Sequence, residues 1–285
     1  MKKLFIPLIA GVVCCCSCTT VQAQEFKTHV TKEFAVSGSV ANTVAIYNLD
    51  GFIKVEGYSG NKVLIEVDEI ISANDNEELE IGKKEFKLSF DQKADSVFAY
   101  IEEPFDSRPR RHWNEDHREI KYRYSLDFTV KVPFNCNLVV STVNHGNITV
   151  KDVAGSLNVN NVNGPIAITN AKGTTRAHTV NGAVTANYLS NPPGESSFYT
   201  INGEIRVAYQ PNLSADLQFK SMNGEFYTDF QDLNVLPAKV TKNQEAHNGG
   251  TTYKLNAASE VRIGAGASSA KFQTLNGNIY IKKQS

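Results

Sequence analysis

The 285-residue chain is poor in several things that would otherwise organise a fold. It has one Trp, two Met and five Cys, and four of those cysteines (Cys14, Cys15, Cys16 and Cys18) fall in the opening segment before Thr19. Only Cys136 remains for the rest of the chain, so no intramolecular disulfide framework is expected and Cys136 reads as a small buried filler. The chain also lacks an excess of either charge, with 29 Lys plus Arg against 30 Asp plus Glu. That balance argues against a nucleic-acid binder, which needs a basic face to offset phosphates. Beyond the opening segment there is no apolar run of the roughly 20 residues a membrane-spanning helix requires. No Gly-x-Ser-x-Gly elbow, phosphate-cradling loop or dinucleotide fingerprint is present, and no cofactor is expected.

The apolar run that does exist reads as an export leader. Lys2 and Lys3 precede Leu4–Cys16, and Val21-Gln22-Ala23 fits a small-residue cleavage pattern. Cleavage after Ala23 leaves a chain starting at Gln24 with charge 27 − 30 = −3. The alternative is a lipoprotein processed at Cys18, with Ser17 before it. Either route predicts a protein outside the cytoplasm, in the periplasm, at the outer-membrane surface or secreted.

What the chain has in excess is asparagine, most of it at or beyond Asn135. Asparagine favours turns over helix interiors, which argues against a helical bundle. The excess is organised. Thr142-Val143-Asn144-His145-Gly146-Asn147-Ile148 returns as Asn161-Val162-Asn163-Gly164-Pro165-Ile166 and Thr179-Val180-Asn181-Gly182-Ala183-Val184. It returns again as Thr200-Ile201-Asn202-Gly203-Glu204-Ile205, Ser221-Met222-Asn223-Gly224-Glu225-Phe226 and Thr274-Leu275-Asn276-Gly277-Asn278-Ile279. The first five glycines recur at near-constant spacing, with Gly155 and Gly173 halfway between neighbours. Apolar residues alternate with period two between them (Ile148, Val150; Leu157, Val159; Ile166, Ile168), the pattern of strands with one buried face.

Two short strands per repeat fit a right-handed single-stranded β-helix with 18–21-residue coils. Equivalent asparagines would then hydrogen-bond along the stack, and glycine would supply a positive φ at each corner. The alternative is an antiparallel meander or sandwich, because Asn-Gly is also a strong hairpin signal. Residues 24–130 read as an N-terminal β region with strands at Val44–Tyr47, Phe52–Val55, Val63–Val67, Phe86–Phe90 and Val97–Ile101. Asn48-Leu49-Asp50-Gly51 looks like a degenerate first copy, so this region reads as continuous with the repeats of 131–285. Only Asp75–Lys84 has helical composition, shortened by Gly82.

The charged stretch 102–119 interrupts the strands and carries most of the candidate chemistry. Trp113 with Arg108, Arg110 and Arg111 forms a candidate recognition patch, since Trp and Arg anchor many interfaces. His112 and His117 are weak metal candidates: they lie five apart, off one helix face, amid arginines. Glu204 and Glu225 share one repeat position and would stack on neighbouring strands.

These repeats, with the ending Arg262-Ile263-Gly264-Ala265-Gly266 … Phe272-Gln273-Thr274-Leu275-Asn276-Gly277-Asn278-Ile279-Tyr280-Ile281, resemble the β-strand-repeat family of candidate bacterial adhesins. Those exported proteins are related to GIN-type adhesin head domains. Val130-Lys131-Val132-Pro133 before the first full repeat is similar to the family's junction. The resemblance implies a right-handed β-helix and a non-enzymatic binding or structural role at the cell envelope, with a glycan or protein as partner. It supplies no catalytic or binding residues. A polysaccharide-acting β-helix enzyme (lyase or hydrolase) and an envelope-sensing component are the rival readings.

Overall fold

The structure is a computed structural model that describes residues 23–36, 42–109, 119–247 and 250–284, with side chains omitted for 238–258. The leader, with Cys18, and residues 110–118 lie outside the described residues.

Among the described residues the chain is all-β apart from one short helix, and its strands form two large mixed sheets. Each repeat contributes one strand to each sheet. In the first sheet lie β3 (Ile53–Tyr58), β9 (Ile148–Lys151), β11 (Ile166–Ala171), β13 (Val184–Tyr188), β15 (Ile205–Tyr209), β17 (Phe226–Thr228) and β21 (Ile279–Lys283). In the second lie β2 (Thr43–Tyr47), β8 (Asn137–Ser141), β10 (Leu157–Asn160), β12 (Thr175–His178), β14 (Ser196–Tyr199), β16 (Ala215–Lys220) and β20 (Ser268–Gln273). Equivalent strands pair in parallel: Ile166 sits beside Ile148 and Val184, and Leu157 beside Leu138 and Thr175. The Asn-Gly steps therefore connect the two sheets; the repeats do not form an antiparallel meander, whereas two facing sheets fit the sandwich alternative. A hairpin would have paired strands within a copy; the apolar face of each strand is buried instead by its counterpart sheet.

The inward residues of both sheets make one continuous core. Val140, Val159, Ile168, Val207 and Ile281 are at most 1% exposed. Aromatic side chains continue the register, with Tyr188 stacked on Tyr209 at 5.1 Å and Phe272 between Phe198 and Phe219 at 5.3 Å from each. Burial at roughly 25 cal/mol per Å² of apolar surface makes this column the main source of stability.

The end nearest the N-terminus is covered by antiparallel structure. β1 (Gln24–Ala35), β4 (Lys62–Ala73) and β7 (Tyr122–Pro133) extend the first sheet past β3, and β5 (Lys87–Gln92) and β6 (Ser96–Glu103) extend the second past β2. β1 does not stand out by periodicity, because most of its residues are exposed. Helix α1 (Asn76–Glu85) is capped by Asp75, whose carboxylate accepts from Glu78 N at 2.9 Å. Gly82 does more than shorten the helix: a side chain there would meet the Tyr122 ring at 2.8 Å.

At the other end the order departs from the sequence. The copy containing β20 and β21 lies between the β14/β15 copy and the β16/β17 copy. The hairpin of β18 (Leu233–His247) and β19 (Gly250–Ile263) joins them and pairs antiparallel along β16. Glu204 and Glu225 are consequently not neighbours. Asn278 lies between them, Glu204 pairs with Arg206, and Glu225 accepts from Tyr227.

Candidate ligand-binding face and its scaffold

The corners determine how regularly the faces can be presented. At each corner the Asn side chain donates to the oxygen of its counterpart: Asn163 to Asn144, Asn181 to Asn163 and Asn202 to Asn181 at 2.9 Å each, Asn276 to Asn202 at 2.7 Å, and Asn223 to Asn276 at 2.8 Å. Just before it, a buried hydroxyl or amide binds the glycine carbonyl of the adjoining copy, as in Thr179 to Gly164 at 2.9 Å and Thr200 to Gly182 at 2.8 Å, while the half-buried Ser221 reaches Gly277 at 3.3 Å. The first and last copies follow with Thr142 to Gly51 and Thr274 to Gly203.

The glycines serve a different purpose from the one expected. Gly146, Gly164, Gly182, Gly203 and Gly224 have no positive φ; among the repeat glycines only Gly51 and Gly277 do. Each is required because a Cβ would run into the carbonyl of the glycine in the adjoining copy, closer than the 3.0 Å that real Cβ atoms respect. His145, inserted between Asn144 and Gly146, takes the left-handed conformation (φ 50°) and meets the Asp50 carboxylate at 2.7 Å.

This scaffold sets two parallel rows of outward side chains across the second sheet. Register places Asn158, Arg176, Ser197 and Lys271 side by side, and next to them Asn160, His178, Tyr199 and Gln273. Between strands the surface dips into a groove of about 350 Å³ centred on Arg176, His178, Tyr199 and Lys271. A second hollow of about 300 Å³ continues it toward Asn137 and Asn158, with Arg176 and Glu195 shared by both.

The electrostatics of the groove are specific. Lys271 Nζ lies 2.6 Å from Glu195 and, with more distant help from Arg176, holds that carboxyl below its ordinary range. Arg176 itself has no ion pair among the described residues. Burial against its neighbours, and then the Arg176 charge, push the His178 imidazole below its usual pKa of 6.5. Its Nε2 is 3.3 Å from Ser197 Oγ, and its ring meets Tyr199 edge-on at 5.8 Å. No carboxylate orients the imidazole among the described residues, and Glu195 is the one acidic group lining the groove.

Of the patch expected in the charged insertion, only Arg108 falls within the described residues. Its guanidinium lies 3.8 Å from the Tyr100 ring centre and 2.7 Å from Asp106, whose hydrogen bond keeps it firmly charged. Arg108 thus closes its own turn. Arg110, Arg111, His112, Trp113 and His117 lie outside the described residues, and among those described no group of His, Cys, Asp and Glu could hold a metal ion. The groove residues escape notice in the sequence because each is an ordinary polar residue; only their shared repeat phase, alternating with the inward strand residues, singles them out.

No profile of a known protein family matches the chain, and no curated protein matches it. Among solved structures it is similar to a candidate cell adhesion protein from Clostridium sporogenes, at 10% identity and TM-score 0.41, over 92% of this chain and 100% of that one. A candidate lipid binding protein from Parabacteroides distasonis shows 10% identity and TM-score 0.41 over 90% and 97%. A candidate adhesin from Bacteroides fragilis shows 11% identity and TM-score 0.29 over the same shares. Likeness at this level says nothing about activity. No helix among the described residues is long and apolar enough to cross a membrane.

Proposed function

We propose that this chain is an exported, non-enzymatic binding module of the cell envelope, whose copies wind as a right-handed β-helix and whose second sheet binds a glycan on its outer face. The parallel register from copy to copy supports the helical reading, and the leader pattern of residues 1–23 supports export, by cleavage after Ala23 or lipidation at Cys18. The observation that carries the binding role is Arg176, without an ion pair among the described residues, in a groove lined by His178, Tyr199 and Lys271 on a face of asparagine amides and serine hydroxyls. Tyr and His offer ring faces and edges, the amides offer both donors and acceptors, and an available guanidinium favours a saccharide carrying an anionic group.

A polysaccharide-cleaving enzyme is less well supported by the same face. Hydrolysis of a glycosidic bond needs two carboxylates flanking it, and Glu195 stands alone in the groove and is tied to Lys271. The Ser197–His178 contact lacks the carboxylate that orients a catalytic imidazole. The 24–130 region is proposed as a cap continuous with the repeats, and residues 110–118 as a second contact surface through Trp113, Arg110 and Arg111.

The test is a panel of neutral and acidic polysaccharides offered to the mature protein, read for both binding and new chain ends. Binding without cleavage, weakened at least tenfold by Arg176→Gln and by Tyr199→Ala, is expected. New chain ends would overturn the non-enzymatic reading. Binding kept in Arg176→Gln but lost on deleting residues 110–118 would move the site to the insertion.

A further inference from the structure

The row of asparagines has an end, and the end differs chemically from the middle. Five of its asparagines precede glycine, the step at which a backbone nitrogen can most readily attack a side-chain amide. For Asn163, Asn181, Asn202 and Asn276 that amide is held at both atoms: each donates through Nδ2 to one neighbour and accepts through Oδ1 from the other. The attacking nitrogen is engaged as well at three of these steps, where Gly182 donates to Asn202 O, Gly203 to Asn276 O and Gly277 to Asn223 O at 3.0 Å each.

Asn223 is held on one side only. Its Nδ2 donates to Asn276, but no further copy among the described residues lies beyond β17, the edge strand of the first sheet. Its Oδ1 therefore accepts nothing among the described residues, and Gly224 N donates to none of them. Both Asn223 and Gly224 are exposed.

We propose that Asn223–Gly224 is a site of spontaneous deamidation, and that the stacked copies protect the other four Asn-Gly steps of the repeat. The reaction needs only water. Gly224 N loses its proton to solvent base and bonds to Asn223 Cγ; the Cγ–Nδ2 bond breaks as Nδ2 takes a proton from water and leaves as ammonia. Water then opens the resulting succinimide at either carbonyl, giving aspartate or isoaspartate. The product replaces the Nδ2 donor with a carboxylate facing Asn276 Oδ1, so the last hydrogen bond of the row is lost and a negative charge appears beside Glu225. This proposal stands apart from the ligand reading, since it uses the first sheet's edge rather than the second sheet's face.

The whole protein, incubated at mildly alkaline pH and sampled over days, is mapped by peptide mass spectrometry, with Asn248–Gly249 followed separately because it lies outside the described residues. Asn223 is expected to convert at least about fivefold faster than each of the other four, the factor one net hydrogen bond is worth. In denaturant the five should converge. Equal or faster conversion at any of Asn163, Asn181, Asn202 or Asn276 in the folded protein would overturn the proposal. In Asn223→Ala, Asn276 becomes the end of the row; its conversion is expected to rise severalfold while Asn181 is unchanged, and no rise at Asn276 would refute protection by the clamp.

Discussion

Replacing Gly182 by alanine tests whether the corner glycines exist for close approach rather than for their φ. The added Cβ would meet Gly164 O and Gly164 C, with Pro165 N at 2.8 Å. All three are backbone atoms of the adjoining strand connection, which the sheet holds at a spacing of about 4.8 Å. A flexible side chain could swing aside; these atoms move only if the copies separate. Overpacking of this kind costs about 1–3 kcal/mol. Separating these two copies also stretches two hydrogen bonds between them, Asn181 N to Val162 O at 2.8 Å and Thr179 Oγ to Gly164 O at 2.9 Å. At about 1 kcal/mol each, these bring the expected loss to roughly 3–5 kcal/mol.

Gly194→Ala is the matched control. Its Cβ would touch only Thr174 Cγ2, at 3.2 Å, and its φ is not positive, so the change should be near neutral, or stabilising by about 0.5 kcal/mol through lost unfolded-state entropy. Equilibrium urea denaturation of the mature protein reads both. The midpoint should fall sharply for Gly182→Ala with little change in slope, unless one group of copies unfolds separately. A Gly182→Ala protein within about 0.5 kcal/mol of the parent would refute the close-approach account, since a positive-φ position is excluded there already.

The remaining predictions concern two buried groups and the groove histidine. Tyr209 is 1% exposed and its hydroxyl has no hydrogen-bond partner among the described residues, so Tyr209→Phe should be neutral or stabilising by about 1 kcal/mol in the same denaturation assay; clear destabilisation would show that the hydroxyl is satisfied in solution. Burial pushes the Cys136 thiol up to about 11, so a thiol-directed reagent at mildly alkaline pH should label it slowly in the native protein and quickly in urea; fast native labelling would contradict its burial. Proton NMR should find His178 titrating below 6.5, moving upward in Arg176→Gln because the guanidinium is the second cause of the shift after burial. Since its folded pKa lies below the unfolded one, the neutral imidazole contributes stability fully above pH 6.5 and loses it as pH falls toward the folded value. A pKa at or above 6.5 would mean the groove is open to solvent around the ring.

How much of this is legible in the sequence depends on which residues carry a signal of their own. The two-strand repeat is readable because Ile148, Val150, Leu157 and Val159 alternate in phase with Asn-Gly, and the asparagine row follows from the phase alone. The helix expected at Asp75–Lys84 forms at Asn76–Glu85, because the Asp75 cap and the charged composition act locally. The reason for the glycines is not local: Asn-Gly signals a turn, whereas the constraint on Gly182 comes from Gly164, one whole copy earlier in the chain, and no short pattern contains it. The order of the last copies is hidden for the same kind of reason. Asn202 and Asn223 have the same sequence spacing as Asn181 and Asn202, which are neighbours, yet Asn276 sits between them because the repeat motif makes every copy an acceptable neighbour for every other. What selects the order is the fit of larger side chains. Phe272 stacks between Phe198 and Phe219, and Tyr280 lies between Arg206 at 3.9 Å and Tyr227 at 5.1 Å. The bidentate Arg262–Asp216 pair, at 2.6 and 2.7 Å, ties β19 to β16 and leaves the interior position to the C-terminal copy. Degenerate corner motifs thus build the stack, while the aromatic residues between the corners decide which copy goes where and leave Asn223 at its end.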